Sequence, residues 1–317
     1  AVAYVYCGIR GYSEQMFTIC MGVCVYKMID GLADVYEGRL QQKDKLYLAG
    51  ISQAFRSVVV FVVFSLFLLV TRDLGISSIA MAVAAIATFL VLTFPLALLE
   101  TPKSRRQSTQ SIIALFMYAL IDNMPKFVME TALSYDNQLY FNALYFPAQA
   151  ILLTVGFVYK PLLVRMAQMW ADAEKRNRFH LVILAIVAMV IALTLVVIFL
   201  MGWIGIPIMS FMYGIDFEQF RGLSFIMIAA GGVTAIIDFL YQVITVLRRQ
   251  KSVMKLYVIT FGFSLFVPIL LIDFTGLPGA VIGYLIVMTI LMVLLVWEYI
   301  SICLDLSKHP VSQKPAP

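Results

Sequence analysis

LVILAIVAMVIALTLVVIFLMGW, from Leu181 to Trp203, holds no charged side chain. An α-helix rises about 1.5 Å per residue, and about 20 apolar residues cross a hydrocarbon core of roughly 30 Å. This stretch is long enough to span a membrane as one helix. Working outward from it, eight more runs share its character: Glu14 to Glu37, Ile51 to Val70, Ile76 to Leu99, Ser111 to Met129, Leu139 to Tyr159, Leu223 to Leu247, Leu256 to Ile272 and Leu277 to Trp297. The pattern predicts an all-α polytopic membrane protein with nine transmembrane helices. Composition agrees, because 62% of the 317 residues are hydrophobic and 13% charged, against roughly half apolar and a quarter charged in water-soluble domains. The first and fourth runs are weaker signals because each contains more than one charge.

Cys7, Cys20, Cys24 and Cys303 form no CxxC pair, and the two histidines, His180 and His309, lie in hydrophilic segments. None has metal-ligand spacing, and the cysteines read as small apolar helix residues. The basic residues sort strongly by segment. After runs one, three, five, seven and nine stand Arg39, Lys43, Lys45; Lys103, Arg105, Arg106; Lys160, Arg165, Lys175, Arg176, Arg178; Arg248, Arg249, Lys251, Lys255; and Lys308, Lys314. The alternate segments hold only Arg10, Arg72 and Arg221. Cytoplasmic loops accumulate Lys and Arg, so this asymmetry predicts a cytoplasmic carboxy terminus and an amino-terminal residue on the outer side. It also accounts for the net charge of +5 without a nucleic-acid partner.

An internal repeat follows. MIDGLADVYEGRLQQKDKLYL, Met28 to Leu48, aligns without gaps on IIDFLYQVITVLRRQKSVMKL, Ile236 to Leu256, with seven identities that include Ile29/Ile237, Asp30/Asp238 and Lys43/Lys251 at an offset of 208. Both copies run in the same direction and each precedes two further spans, although any two membrane helices with basic ends share some likeness. A true repeat leaves spans four to six without upstream counterparts. The expectation is a fragment of a twelve-span protein in two six-helix bundles. Residues 1–99 would be the last three helices of the first bundle, 100–110 a cytoplasmic linker with TPKSRRQSTQ, 111–306 the second bundle and 307–317 a cytoplasmic tail.

The segment DVYEGRLQQKDKLYLAGISQAFRSV, Asp34 to Val58, carries an acidic residue, Gln41, Lys45 and a Ser52-x-x-x-Arg56 pattern. It resembles the fourth and fifth helices of polysaccharide flippases in the multidrug/oligosaccharidyl-lipid/polysaccharide exporter superfamily. LYFNALYFPAQAILLTVGFVYKPLLVRMAQMWADAEKRNRF, Leu139 to Phe179, resembles the eighth helix of that family, with its Lys-Pro exit and amphipathic extension. The resemblance covers nearly the whole chain and implies a MATE-like pair of bundles with alternating access. It further implies a bacterial plasma (inner) membrane location and coupling to an ion gradient, a proton or a sodium ion. No GxxxxGK[ST] motif is present, which leaves no Walker site for direct use of ATP.

An ionisable side chain in mid-membrane costs about 2.5–3.5 kcal/mol on insertion scales and normally faces a wet cavity or a partner. Lys27, Asp30, Asp34, Glu37 and Gln41 fall on one stripe of span one. Span four holds Asp122, Lys126 and Glu130 around Pro125, span five Gln138, Asn142, Tyr145 and Gln149, and span seven Thr234, Asp238, Tyr241 and Gln242. Together these side chains are expected to line a cavity, with Asp122 or Asp238 loading the coupling ion. The alternatives are intrahelical neutralisation for Lys27/Asp30 and Asp122/Lys126, solvation at the span ends for Glu37, Gln41 and Glu130, and ordinary interhelical seams in spans five and seven. Arg56 either snorkels to lipid headgroups or clasps a pyrophosphate, with Lys27 serving the same anion further in.

The function expected is a flippase for polyprenyl-pyrophosphate-linked oligosaccharide of the O-antigen type. Its partners would be that lipid-linked oligosaccharide, membrane lipids and polysaccharide assembly enzymes. A cation-coupled multidrug exporter of the same superfamily is the alternative, and would favour an aromatic, acidic pocket. A membrane enzyme of polysaccharide assembly fits less well, since the longest outer segment, Ile204 to Gly222, offers only Asp216, Glu218 and Arg221 as charged groups.

Overall fold

In the computed structural model, residues 2–42, 45–100, 109–247 and 249–308 are described. Lys43, Lys103, Arg105, Arg106, Arg248, His309 and Lys314, most of the linker and residues 309–317 of the tail lie outside them, as does the side chain of Gln41. Thirteen α-helices make up the described chain: α1 (Val2–Arg10), α2 (Glu14–Gln42), α3 (Leu46–Thr71), α4 (Leu74–Thr88), α5 (Phe94–Glu100), α6 (Thr109–Ala132), α7 (Tyr135–Tyr159), α8 (Leu163–Ala171), α9 (Arg176–Leu200), α10 (Ile206–Tyr213), α11 (Arg221–Val246), α12 (Gln250–Thr275) and α13 (Leu277–Lys308). Five-residue π turns, Phe89–Thr93 and Met201–Gly205, join α4 to α5 and α9 to α10. The fold is all-helical among the described residues, as a membrane-embedded protein requires when each backbone group must find its partner within its own segment.

Among the described residues, eight helical segments are long and apolar enough to cross a membrane. The ninth expected span lies within α6, and the side chains at its start, 109–115, lie outside the described residues.

The chain divides into two compact units, Ala1–Arg106 and Gln107–Pro317. In the first, α4 packs along both α2 and α3, which touch each other less. In the second, α13 packs along both α11 and α12, which touch each other least. There α7 covers another face of α11, and α6 covers α12. Most of the span around α11 is buried, 61% against 17% for the span in α2.

The repeat has a physical counterpart. On α3 the buried stripe is Ala49, Ser52, Arg56 and Val60; the residues 208 further on, Tyr257, Thr260, Ser264 and Pro268, are likewise buried on α12, which also buries Val253 and Ile272. Backbone geometry repeats as well. Among the described residues φ is positive at four positions: Gly11 and Gly214, each closing the helix that precedes the first of the three, and Arg72 and Gly276, each between the second and third. These caps lie 203 and 204 residues apart. The third helices follow the shorter offset, since Ser77, Ser78, Ala84, Ala85 and Thr88 are buried on α4, and Ala280, Val281, Val287, Met288 and Leu291, 203 further on, are buried on α13.

Small residues set the closest helix approach. A Cβ on Gly231 of α11 would lie 2.6 Å from the Ala148 Cβ of α7 and 2.7 Å from its Cα. The backbones themselves would have to separate. Gly231→Val should destabilise the detergent-solubilised protein by about 1–3 kcal/mol. Gly222→Ala, where nothing lies within 4 Å, should be neutral or stabilising by about 0.4–1 kcal/mol. Thermal unfolding of the two variants checks this contrast.

Candidate functional site

Two polar networks stand out, one in each unit. In the first unit Arg56 is 1% exposed on α3. Its Nη1 donates to Glu37 Oε1 at 2.7 Å, and its Nη2 donates to Asp30 Oδ1 at 3.1 Å and to Asp34 Oδ1 at 3.5 Å. The carboxylates stand on successive turns of α2, so one planar guanidinium reaches all three. Ser52, one turn before Arg56, donates to Glu37 Oε1 at 3.0 Å and lies 2.9 Å from the Thr93 hydroxyl in the π turn after α4. Arg56 Nε is buried without an acceptor.

This arrangement redistributes the expected stripe of span one. Glu37, 3% exposed, turns into the interior against Arg56 and is not solvated at a span end. Arg56 does not snorkel. Its two Nη groups are held by carboxylates, which leaves no free fork for a pyrophosphate. Lys27 pairs with Asp30 at 3.5 Å and lies over the Tyr26 ring, its side chain 65% exposed.

In the second unit Asp122 on α6 accepts from the Tyr145 hydroxyl of α7 at 3.0 and 3.1 Å, and from the Tyr284 hydroxyl of α13 at 2.7 Å. The two hydroxyls are themselves 3.3 Å apart. Lys126, one turn beyond Asp122, lies 4.7 Å from the centre of the Tyr145 ring and donates to Asn123 Oδ1 at 3.4 Å. Asp122 and Lys126 therefore look to other helices and neighbours rather than to each other. Asp238 on α11 accepts a hydrogen bond from the Tyr159 hydroxyl of α7. Tyr241 and Tyr257 stack nearby with centroids 6.1 Å apart, and Tyr118 packs on Tyr257 at the same distance. Two carboxylates thus sit among tyrosine rings inside a helical unit.

Lys27, Asp30, Asp34 and Arg56 come together in the first unit. Asp122, Lys126 and Tyr145 come together in the second, and Gln149 is half-buried one turn beyond Tyr145. Asn142 is exposed on α7 and joins neither network, while Thr234 bonds back to the Gly231 carbonyl of its own helix. Sequence reasoning missed Tyr284, Tyr159 and Thr93. A tyrosine amid the apolar residues of the last span was the available signal, because a buried hydroxyl needs a partner. Among the described residues no cluster of His, Cys, Asp or Glu has metal-site geometry.

Removing one partner of a buried ion pair leaves an uncompensated charge, a loss of about 3–5 kcal/mol. Arg56→Leu and Glu37→Leu should each destabilise by that order, and the double variant by less than the sum; a double-mutant cycle on thermal unfolding reads the coupling. No protein-family model, no curated protein and no solved structure matches the chain.

Proposed function

We propose that this chain belongs to a membrane transporter that flips polyprenyl-pyrophosphate-linked oligosaccharide by alternating access, with a proton or sodium ion as the coupling species. The observation that carries the reading is the Asp122 network. A carboxylate in the middle of α6, held by hydroxyls from α7 and α13, gains or loses interhelical bonds when it takes up a proton or cation. Three helices therefore respond to one loading event. The likeness to polysaccharide flippases supports the substrate class. Since Arg56 is engaged by carboxylates, Lys126, beside the Asp122 network, is the side chain assigned to the substrate phosphates.

A second reading, cation-coupled export of organic cations, has its own support in the tyrosine rings around Asp238 and Asp122, because cations bind aromatic faces and carboxylates. Vesicle transport separates the two. With fluorescent polyprenyl-pyrophosphate oligosaccharide in reconstituted vesicles, Asp122→Asn should slow flipping about tenfold or more, and Lys126→Gln should raise the substrate concentration needed. Flipping unchanged in both Asp122→Asn and Asp238→Asn would remove the assigned coupling role. Uptake of an organic cation with no flipping of the lipid would favour export.

A further inference from the structure

The repeat allows α2 to be compared with α11 position by position. Gly231 of α11 abuts Ala148 of α7, Asp238 accepts from Tyr159 of α7, Phe239 packs on the same Tyr159 ring, and a Cβ on Gly232 would meet Thr194 of α9. The residues 208 earlier are Val23, Asp30, Gly31 and Cys24. Val23 is 41% exposed, Cys24 and Gly31 are exposed, and nothing lies within 4 Å of a Cβ placed on Gly31. Three of the four positions that meet neighbouring helices in one copy thus form an open face in the other, with the fourth, Asp30, part-exposed beside them. That face is not purely apolar. Lys27 stands on it, and Asp30, which holds Arg56 with one oxygen and Lys27 with the other, remains part-exposed. A lipid tail supplies no donor to such a carboxylate, and bare hydrocarbon contact costs several kcal/mol. A helix with a hydroxyl or amide donor supplies what Tyr159 supplies to Asp238. The helix α7 itself is engaged with α11.

We propose that the face of α2 formed by Val23, Cys24, Lys27, Asp30 and Gly31 is the seat of a further transmembrane helix. That helix packs on α2 as α7 packs on α11, and carries a hydrogen-bond donor level with Asp30. The proposal rests on the repeat and is independent of the transported substrate. It also removes this part of the α2 stripe from the wall of any aqueous cavity.

The test is photo-crosslinking of the full chain in its own membrane, with p-benzoylphenylalanine at Val23 and, as a lipid-facing control, at Phe157, which is 81% exposed on α7. The Val23 probe should join an apolar helical peptide from outside residues 1–317, with Ser, Thr, Tyr, Asn or Gln about two turns from the point of attachment. The Phe157 probe should join lipid. Gly31→Leu, which the open space around Gly31 accommodates, should block the seat and lower the Val23 adduct about tenfold without altering the Phe157 adduct. Lipid adducts alone at Val23, an adduct only within residues 1–317 of the same or a second copy, no adduct at all, or a yield indifferent to Gly31→Leu each overturn the proposal.

Discussion

A charged group carried into hydrocarbon must bring its counter-charge or find it on the next helix, and the packing of the first unit follows from this requirement at Arg56. Its guanidinium ties α3 to three turns of α2, and Glu37 then draws in Ser52 and, through it, Thr93 of the π turn. Charge pairing thereby decides which face of each helix is inward, where apolar side chains alone would leave several rotations nearly equal in energy. The cost of burying the ions is repaid only if the geometry is kept.

The second unit solves the same packing problem with different chemistry. Where the first has Arg56, Glu37 and Asp30, the positions 208 later are Ser264, Thr245 and Asp238. Replacing the cation and one carboxylate together leaves the net charge of the three positions unchanged, and Ser264 turns its hydroxyl back to the Phe261 carbonyl of its own helix. The remaining Asp238 is stabilised from α7 by a tyrosine instead. Three-helix packing survives because the spacing of the buried stripe is retained while its side chains are exchanged.

Much of this was legible in the sequence. Run length and charge gave the helices, and the short alignment around Asp30 and Asp238 located the repeat that burial then extended through α3 and α12. The unusual density of ionisable groups on α2 and α6 pointed to the residues that form the networks. Their partners were not legible, because helical periodicity says which side chains share a face and nothing about the neighbour opposite. Thus Glu37, read as part of a cavity-facing stripe or as solvated at a span end, is buried against Arg56, and Asp122, read as lining a cavity or as paired with Lys126, bonds to Tyr145 and Tyr284. The left-handed conformation of Arg72 was equally hidden, since its counterpart Gly276 is the residue that composition associates with positive φ.

The triangle of Asp122, Tyr145 and Tyr284 has one more property, visible in its count of hydrogens. Three donor–acceptor contacts join three oxygen-bearing groups, yet the two phenols together own only two hydroxyl protons. With the carboxylate ionised, one edge of the triangle is always vacant, and rotation about a C–O bond moves the vacancy without moving any helix. A proton on the carboxylate supplies the third hydrogen and closes the triangle, converting an adjustable joint among α6, α7 and α13 into a locked one.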